Sequence, residues 1–400
     1  MSAAATSPNT TGARVKYWRL RRNGMTQAVL AGLAGVSQSY ISQVEAGRKI
    51  IDRRSTMVQI ARALNVTVAD LLGQPGDPTD PAKAGAADAV PAIWAALIEI
   101  EEGERRVPTF SLDRLQAEIG RVDELRAQSN YGLMTPLLPE LLFESAARGG
   151  LALAQIAYQT SASLRHLGYR HLALPAAKIA VAAAREVDHA AWIGATRFAY
   201  TLGLPVEAAG IAGRAADRAL VDLQSAAGSS VEARQILGQL HLSAGFMATV
   251  DGRTSEADAH LAAATSEAAS LGDPEDGFGF NRSSFGPTNV GLWRMAMAAE
   301  VGDHGLVIEL AKKVRPDPLR MANRHQAYWM TLGAALANSG RNDREALVAF
   351  IRAERVAPST FAMNPVGRDA VVAMVRRARR RSVSGDLRVL ARRVGIEADD

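Results

Sequence analysis

Residues 26–47 read TQAVLAGLAGVSQSYISQVEAG, a pattern of two short helices joined by a tight turn. The first helix is predicted to run from Thr26 to about Ala34, and the second to begin at Ser37. Gly35 suits the left-handed backbone that such a turn requires. Ser37 is a good N-cap, because its hydroxyl can accept a hydrogen bond from a free backbone N–H. The stretch therefore predicts a helix-turn-helix.

Apolar residues recur at three- and four-residue spacings along both helices, which predicts a buried seam between them. The residues of this seam are Leu30, Leu33, Ile41 and Val44. The small side chain of Ala31 would let the helices cross closely. An ordinary helical hairpin with a polar face is the alternative, but the turn, the cap, the small residue and the seam agree with one another.

The second helix keeps a polar outer face that suits base edges in the major groove. Side chains that both donate and accept hydrogen bonds match those edges, and Gln is the usual bidentate partner of adenine. Gln27 begins the first helix, where free N–H groups and the helix dipole favour a phosphate. The residues predicted to contact DNA are Gln27, Ser37, Gln38, Ser39, Tyr40, Ser42, Gln43, Arg48 and Lys49.

The positive charge is concentrated in the same segment. Residues 1–73 hold ten Lys and Arg against three acids, a net charge of +7, whereas the whole chain carries +5. DNA affinity draws heavily on phosphate neutralisation, so this distribution favours DNA as the partner. The predicted phosphate contacts, each of which could equally be plain surface, are Arg14, Lys16, Arg21, Arg22, Arg48, Lys49, Arg53 and Arg54.

Residues 12–73 resemble the XRE family, the five-helix domains of lambdoid phage repressors, in RVKYWRLRRNGMTQ, SQSYISQVEAGRK and RSTMVQIARALNVTVADLL. The resemblance implies an ion pair of Arg19 with Glu45 that braces the first helix against the third. It assigns Gln27 to a phosphate. The residues that it places in contact with the bases are Gln38, Ser39 and Gln43. One extra residue in RRNGM departs from the family pattern.

Length and composition predict an all-α chain of two or more domains. Its 400 residues exceed one small domain, and abundant Ala with only 5% aromatic residues favours closely packed helices. We expect no membrane span, because no run of 18 apolar residues occurs. We expect no signal peptide, because the first residues, MSAAATSPNTTGAR, lack the charged and apolar regions of one. The absence of Cys excludes disulfides and thiolate metal sites and is compatible with the cytoplasm.

Four segments are predicted: a disordered arm over 1–11, an XRE domain over 12–73, a linker over 74–89 and a helical sensor and dimerisation domain over 90–400. The linker is rich in Pro, Gly, Ala and Asp and lacks periodicity. The predicted helices beyond it are 91–104, 111–129, 136–148, 151–167, 174–186, 190–202, 206–224, 229–249, 254–270, 290–301, 304–314, 324–339, 343–356 and 365–380.

Helices in this region come in pairs, and the clearest pair resembles a tetratricopeptide repeat. It reads AYWMTLGAALANSGRNDREALVAFIRAERVAP, residues 327–358, with Trp329, Gly333, Ala346 and Pro358 in the order of that repeat. A weaker copy lies over 245–264. The resemblance implies an irregular α-solenoid with a concave binding surface.

The loop GDPEDGFGFNRSSFGPTN, residues 272–289, interrupts the helices. Long loops inside compact domains are often functional. Its three Phe residues could line a ligand pocket, or could plug a hole in the solenoid. One Asn amide can donate to and accept from a peptide backbone. The residues predicted to bind a ligand are Asn281, Phe285, Asn289, Arg294, Arg324, Tyr328 and Asn364.

The sequence shows no catalytic or metal-binding constellation, so we expect no enzyme activity and no cofactor. His166 and His171 are a weak alternative as metal ligands. The basic run RRARRR, residues 376–381, could touch DNA, although a helix face that balances nearby acids is favoured.

These features predict a cytoplasmic transcription regulator that binds double-stranded DNA. The chain is similar to the peptide-responsive RRNPP regulators of quorum sensing and to actinobacterial regulators with an FGPTN-type loop. That similarity implies a homodimer on a palindromic operator, gated by a peptide or small-molecule effector. The alternatives are a repeat domain that acts as a protein-binding scaffold, and an enzyme tethered to DNA.

Overall fold

The computed structural model describes residues 10–74, 84–228, 230–378 and 385–396, and these residues form helices, turns and loops without a strand. The fold is all-α, as the sequence predicts. The described chain divides into two compact units. Unit 1 comprises 10–74, 298–308, 329–378 and 385–396, and unit 2 comprises 84–228, 230–297 and 309–328.

The first part of unit 1 is a set of five short helices. They are α1 (Thr11–Arg21), α2 (Gln27–Leu33), α3 (Gln38–Glu45), α4 (Arg54–Leu64) and α5 (Val68–Leu72). Helix α2 packs on α3 and α4, and α1 packs on α3, α4 and α5. Most of these helices begin at a hydroxyl side chain that accepts a backbone N–H, and Thr67 with Asp70 forms a complete capping box at α5.

The remainder of unit 1 comes from the C-terminal part of the chain. Its helices are α20 (Asp343–Val356), α21 (Pro358–Ala362), α22 (Pro365–Ala378) and α23 (Gly385–Arg393). Residues 329–338 of α19 (Ala322–Asn338) and residues 298–308 also belong to it. They enclose a core in which the rings of Phe350 and Phe361 lie 6.2 Å apart. Ile50, which follows α3, is buried in the same core. The helix-turn-helix segment therefore packs against C-terminal helices within one unit.

Unit 2 is a repeat-like array of helices. Its helices are α6 (Ala84–Ala87), α7 (Val90–Glu101), α8 (Leu112–Ala127), α9 (Tyr131–Met134), α10 (Leu138–Ala146), α11 (Gly150–His166), α12 (Arg170–Arg185), α13 (Ala190–Gly203), α14 (Ala209–Ala227), α15 (Val231–Val250) and α16 (Thr254–Leu271). Parts of three more helices belong to it, from α17 (Pro287–Val301), α18 (His304–Lys313) and α19 (Ala322–Asn338).

Helices that follow one another pack as the pairs α11–α12, α13–α14 and α15–α16. The first helices of the pairs also pack on one another, α11 on α13 and α13 on α15, so they form a row. Buried Ala residues such as Ala176 and Ala180 let the backbones of paired helices approach closely. Each pair buries its apolar face only by stacking on the next, which is the physical basis of a repeat array.

The predicted helices agree with the observed bounds to within a few residues, with four exceptions that the pattern missed: α6, α9, α21 and α23. These helices have four to nine residues, too few for a clear period. The linker prediction is wrong over 84–87, because α6 forms there and packs on α9. Residues 75–83 lie outside the described residues.

Two further predictions need correction. Leu33 is 62% exposed, and Ala34, at 1%, takes its place in the seam. The buried residues here are Leu30 and Ala31 of α2 and Ala34 at its C-cap, so Leu33 falls outside the buried face of the helix. The predicted disordered arm ends too late, since α1 begins at Thr11. Residues 1–9 lie outside the described residues, and the domain boundary at 89 and 90 stays a prediction.

Candidate nucleic-acid interface

The turn between α2 and α3 has the geometry that the sequence predicts. Gly35 has a φ of +64°, in the left-handed region that favours glycine. The Ser37 hydroxyl accepts from the backbone N–H of Tyr40 at 3.1 Å, which confirms the N-cap. Ile41 and Val44 are buried in the seam. These constraints fix which side of α3 faces outward.

The outer face of α3 is polar and accessible. Gln38, Ser39 and Gln43 are exposed, while Tyr40 and Ser42 are partly exposed. The Gln43 side-chain amide donates to the Ser39 hydroxyl at 3.2 Å. This contact holds two of the exposed side chains in one arrangement, and both keep further hydrogen-bonding capacity for base edges. Their role at the bases stays a prediction.

Gln27 is held by the end of α3. Its amide Nε2 donates to Glu45 Oε2 at 2.8 Å, and Gln38 Nε2 lies 3.5 Å from Gln27 Oε1. The first side chain of α2 is thus tied to both ends of α3. This fixed position at a helix N-terminus, where N–H groups are free, suits a phosphate.

A buried ion pair braces the domain. Arg19 donates to Glu45 through Nε at 2.6 Å and through Nη2 at 2.8 Å, and it also donates to the carbonyl oxygen of Met25. The two side chains are 8% and 3% exposed. The hydrogen bond to Glu45 raises the pKa of Arg19. The ion pair implied by the family resemblance is therefore present.

The predicted phosphate contacts fall into two groups. Arg48 is exposed, and the Lys49 ammonium lies 5.2 Å from the centre of the Tyr40 ring. Burial raises the pKa of Tyr40, so its hydroxyl stays protonated and can donate. Arg14 and Arg22 instead donate to backbone carbonyl oxygens, of Leu72 at 3.4 Å and of Leu64 at 2.8 Å. Those two side chains therefore also help to hold α4 and α5 in place.

The segment between α3 and α4 is fixed by residues that sequence reasoning did not single out. Glu300 accepts from the backbone N–H groups of Arg54 at 2.9 Å and Ser55 at 2.8 Å, and so caps α4 from outside. Asn338 donates to Asp52 at 3.1 Å. A local pattern could not reveal these contacts, because the partners lie far apart in the sequence.

The basic run of α22 lies beside the same segment. Arg377 binds both carboxylate oxygens of Asp343, at 2.6 and 2.8 Å, which supports the predicted balance with nearby acids. It also donates to the carbonyl oxygen of Arg48 at 3.0 Å, and Arg376 donates to that of Ala46. Both arginines thus adjoin the predicted phosphate contacts. Residues 379–381 of the run lie outside the described residues.

Comparison with known families gives one match. The model of a family described as a helix-turn-helix domain matches residues 12–72. Residues 12–72 form a helix-turn-helix domain. The match ends within one residue of the segment predicted from the sequence, and it covers α1 to α5. No curated protein matches the chain. A helix-turn-helix domain suggests a regulator that binds DNA.

The predicted ligand residues are divided between the two units. Asn364 belongs to unit 1, where its Oδ1 accepts from the N–H groups of Val366 and Gly367 and caps α22. The other six residues belong to unit 2. There the exposed Arg294 lies on α17, and the Tyr328 hydroxyl donates to the carbonyl oxygen of Ala311 at 2.8 Å.

The loop over 272–289 is held against α13 and α15. Phe285 is fully buried with Leu242 and Val290, and a Cβ at Gly238 would lie 1.9 Å from its ring. Phe280 meets Trp192 edge-on, and its N–H donates to Gln235 at 2.7 Å. This burial favours the prediction that Phe285 fills a hole in the solenoid over the prediction that it lines a ligand pocket.

Two predicted polar residues of the loop region have defined partners. Asn289 is fully buried, and its Nδ2 donates to Gln239 Oε1 at 2.9 Å. Asn281 accepts from Arg126, through its carbonyl oxygen at 2.8 Å and its Oδ1 at 3.2 Å. Arg324 donates to the carbonyl oxygen of Ser283 at 2.9 Å. Asn281 and Arg324 are therefore the two predicted residues that meet at one part of the loop.

Other kinds of site are not found in the described part of the chain. No group of three His, Asp or Glu side chains there is arranged to hold a metal ion. Within 10–74, 84–228, 230–378 and 385–396, no helix has the length and apolar character needed to cross a membrane.

Proposed function

We propose that the protein is a sequence-specific DNA-binding regulator of transcription from the XRE family. The observation that carries this proposal is the exposed polar face of α3, held in place by the capped turn and by the Arg19–Glu45 pair. The face has donors and acceptors for base edges, and the surrounding segment has the net positive charge that a phosphate backbone requires.

We further propose that the protein acts in the cytoplasm as a homodimer on a palindromic site. Helix-turn-helix domains commonly pair so that two recognition helices enter the major groove about one helical turn, or 34 Å, apart. A two-fold axis in the protein then matches a two-fold axis in the operator. One domain alone reads few base pairs, so pairing increases both affinity and specificity.

We propose that the helices of residues 90–400 form the sensor, a tetratricopeptide-like array similar to that of RRNPP regulators, and not a catalytic domain. Its stacked helix pairs and the folded loop over 272–289 supply a surface for a peptide or small molecule. An effector changes DNA binding only if it has different affinity for two states of the regulator. The proposal therefore requires such a difference.

Genome-wide occupancy of the tagged protein in its host, with and without spent culture medium, tests this function. We expect a palindromic motif whose occupancy changes with the medium. A Gln38→Ala variant serves as the control, because it should occupy the motif more weakly and with relaxed base preference while the protein remains folded. Absence of any enriched motif would contradict sequence-specific binding, and a motif indifferent to medium would contradict gating by a secreted effector.

One observation favours a second role for unit 2 as a protein-binding scaffold. Trp94 and Ile98 lie four residues apart on α7 and are 51% and 47% exposed. Adjacent exposed apolar side chains of this size are typical of contact surfaces between proteins. Capture of a defined partner by the wild type, and its loss with Trp94→Ala, would support this role over a small effector.

A further inference from the structure

Three arginines from separate helices meet in unit 2. Arg126 lies in the last turn of α8, Arg165 near the end of α11 and Arg324 in the first turn of α19. We call these three residues the arginine cluster. Arg126 and Arg324 both donate to the loop over 272–289, at carbonyl oxygens two residues apart in sequence. The loop therefore brings the two guanidinium groups together.

Arg165 joins the cluster through aromatic neighbours. Its Nη2 donates to Nε2 of His166 at 3.0 Å, and the His166 ring stacks on Tyr131 with 5.1 Å between centres. The Arg126 guanidinium lies 5.4 Å from the centre of the Tyr158 ring. The neighbours of the cluster are thus the rings of Tyr131 and Tyr158 and the imidazole of His166, which accepts a hydrogen bond.

The positive charge of the cluster is poorly balanced. Asp123 lies 3.9 Å from Arg126, the only cluster member with an ion pair in the described part of the chain. Arg165 and Arg324 have no carboxylate partner among the described residues. Unpaired charges in a protein interior are unfavourable, and native proteins pair them or use them.

The lowered pKa values of Arg324 and His166 agree with a crowding of positive charge at the cluster. Burial, together with the neighbouring Arg165 and Arg126, lowers the pKa of Arg324 to about 10. Burial and the same arginines also lower the pKa of His166 well below its ordinary value. The imidazole is therefore neutral, as its role of acceptor requires. Strongly perturbed groups that converge in this way are typical of functional sites.

The cluster also has hydrogen-bond donors without acceptors. Nε of Arg126 and Nε of Arg324 are buried and have no partner, and the Arg126 side chain is only 7% exposed. Burial raises the pKa of Tyr131 to about 12, so its hydroxyl keeps a proton that it can donate. Buried donors are normally satisfied, so orphaned ones indicate a missing acceptor.

Solvent reaches the cluster even though protein atoms surround it. Arg165, His166 and Arg324 are partly exposed, whereas Arg126 and Tyr131 are buried. Two of the three guanidinium groups therefore belong to side chains that solvent can reach in part.

We propose that the arginine cluster binds the oxyanion of a small molecule, either a carboxylate or a phosphate. Guanidinium groups bind both anions through short, charge-assisted hydrogen bonds. The anion would accept hydrogen bonds from Arg165 and Arg324, which are partly exposed, and would neutralise the unpaired charge. That the cluster binds an anion does not depend on the proposed function. That this anion is the effector of the regulator rests on the proposed function.

Calorimetric titration of the full-length protein with inorganic phosphate, and separately with citrate, tests the site. We expect one of the two to bind at millimolar concentration or below, and the tighter one identifies the anion class. Arg165→Gln and Arg324→Gln should each weaken that binding by about tenfold or more. Arg121→Gln is the matched control, because Arg121 is exposed on the same helix as Arg126. No binding of either anion, or equal losses in all three variants, would overturn the proposal.

Thermal melting separates binding from a purely structural role. Without anion, Arg165→Gln should melt no lower than the wild type, because it removes an unpaired charge. The anion should raise the melting temperature of the wild type and not that of the variant. A variant that melts lower and still binds the anion would overturn the assignment. If the anion binds but leaves DNA affinity unchanged, the gating part of the proposed function fails while the site stands.

Discussion

Arg19 and Glu45 form a two-point ion pair that joins α1 to the last residue of α3, and Glu45 accepts a further hydrogen bond from Gln27. The Glu45 carboxylate therefore binds both Arg19, which holds α1 against α3, and Gln27, which is predicted to contact a phosphate. The position of the recognition helix and the position of Gln27 depend on the same buried group.

Replacing Arg19 should therefore disrupt the domain as well as DNA binding. Arg19→Ala leaves the Glu45 carboxylate buried without its partner, which costs about 3–5 kcal/mol of stability. Hydrogen exchange of the full-length protein should show faster exchange across α1 to α3. Arg21→Ala, at an exposed position of the same helix, should exchange like the wild type. Unchanged exchange in Arg19→Ala would contradict the bracing role.

Arg48 is expected to contact phosphate and not bases. It is exposed in the segment after α3, and Arg377 holds its carbonyl oxygen. Arg48→Ala should weaken binding to all DNA sequences alike and reduce the slope of log affinity against log salt by about 1. Titrations at several salt concentrations measure the slope. Arg62→Ala, at an exposed position of α4, is the control, and an equal slope for both variants would argue against this contact.

Phe285 should matter for folding and not for ligand contact. It is fully buried against Gly238, with no exposed surface that a ligand could reach. Phe285→Ala should destabilise unit 2 by about 3–5 kcal/mol even without effector, because it leaves a cavity in the core. Phe278→Ala, at a partly exposed position of the same loop, should cost much less. Equal melting temperatures for the two variants would contradict the prediction that Phe285 fills the core of unit 2.

Glu144 should make part of the stability of unit 2 depend on pH. Burial alone would raise its pKa, but hydrogen bonds from Thr109, Phe110 and Arg148 lower it from 4.5 to about 2. The stabilisation is therefore complete above about pH 4.5 and is lost as the pH falls towards 2.

Melting of Glu144→Gln across this range measures the effect. The variant should melt below the wild type at pH 7, and the difference should shrink as the pH falls below 4.5. Glu140→Gln, at an exposed position of the same helix, should show no such trend. A difference that stays constant with pH would mean that the ionised form of Glu144 does not stabilise the fold.

Local patterns in the sequence were sufficient for the helix-turn-helix. Gly35 and Ser37 act through their own backbone and nearest neighbours, so their roles could be predicted from adjacent residues. Most long helices of unit 2 were predicted for the same reason, since their apolar period extends over several turns. Leu33 was misplaced because α2 has only seven residues, and about two turns are too few to define one face.

The parts of the structure that could not be predicted depend on contacts between residues far apart in the sequence. Glu300 caps α4, and Arg126 meets Arg324 at the loop, across more than a hundred residues of sequence in each case. Asn281 was predicted to bind a ligand from its amide, and Arg324 was named beside it as a candidate. Arg126 and Arg165 were not, because an arginine on a helix carries no local sign that its charge is buried and unpaired.

A selection from random double-stranded DNA measures whether α3 reads DNA sequence. The full-length wild type should enrich a palindromic motif. Gln38→Ala should bind that motif about 1–3 kcal/mol more weakly and accept other bases at one position of each half-site. Gln59→Ala, at an exposed position of α4, should select the wild-type motif. An unaltered motif and affinity for Gln38→Ala, or no motif for the wild type, would contradict the account.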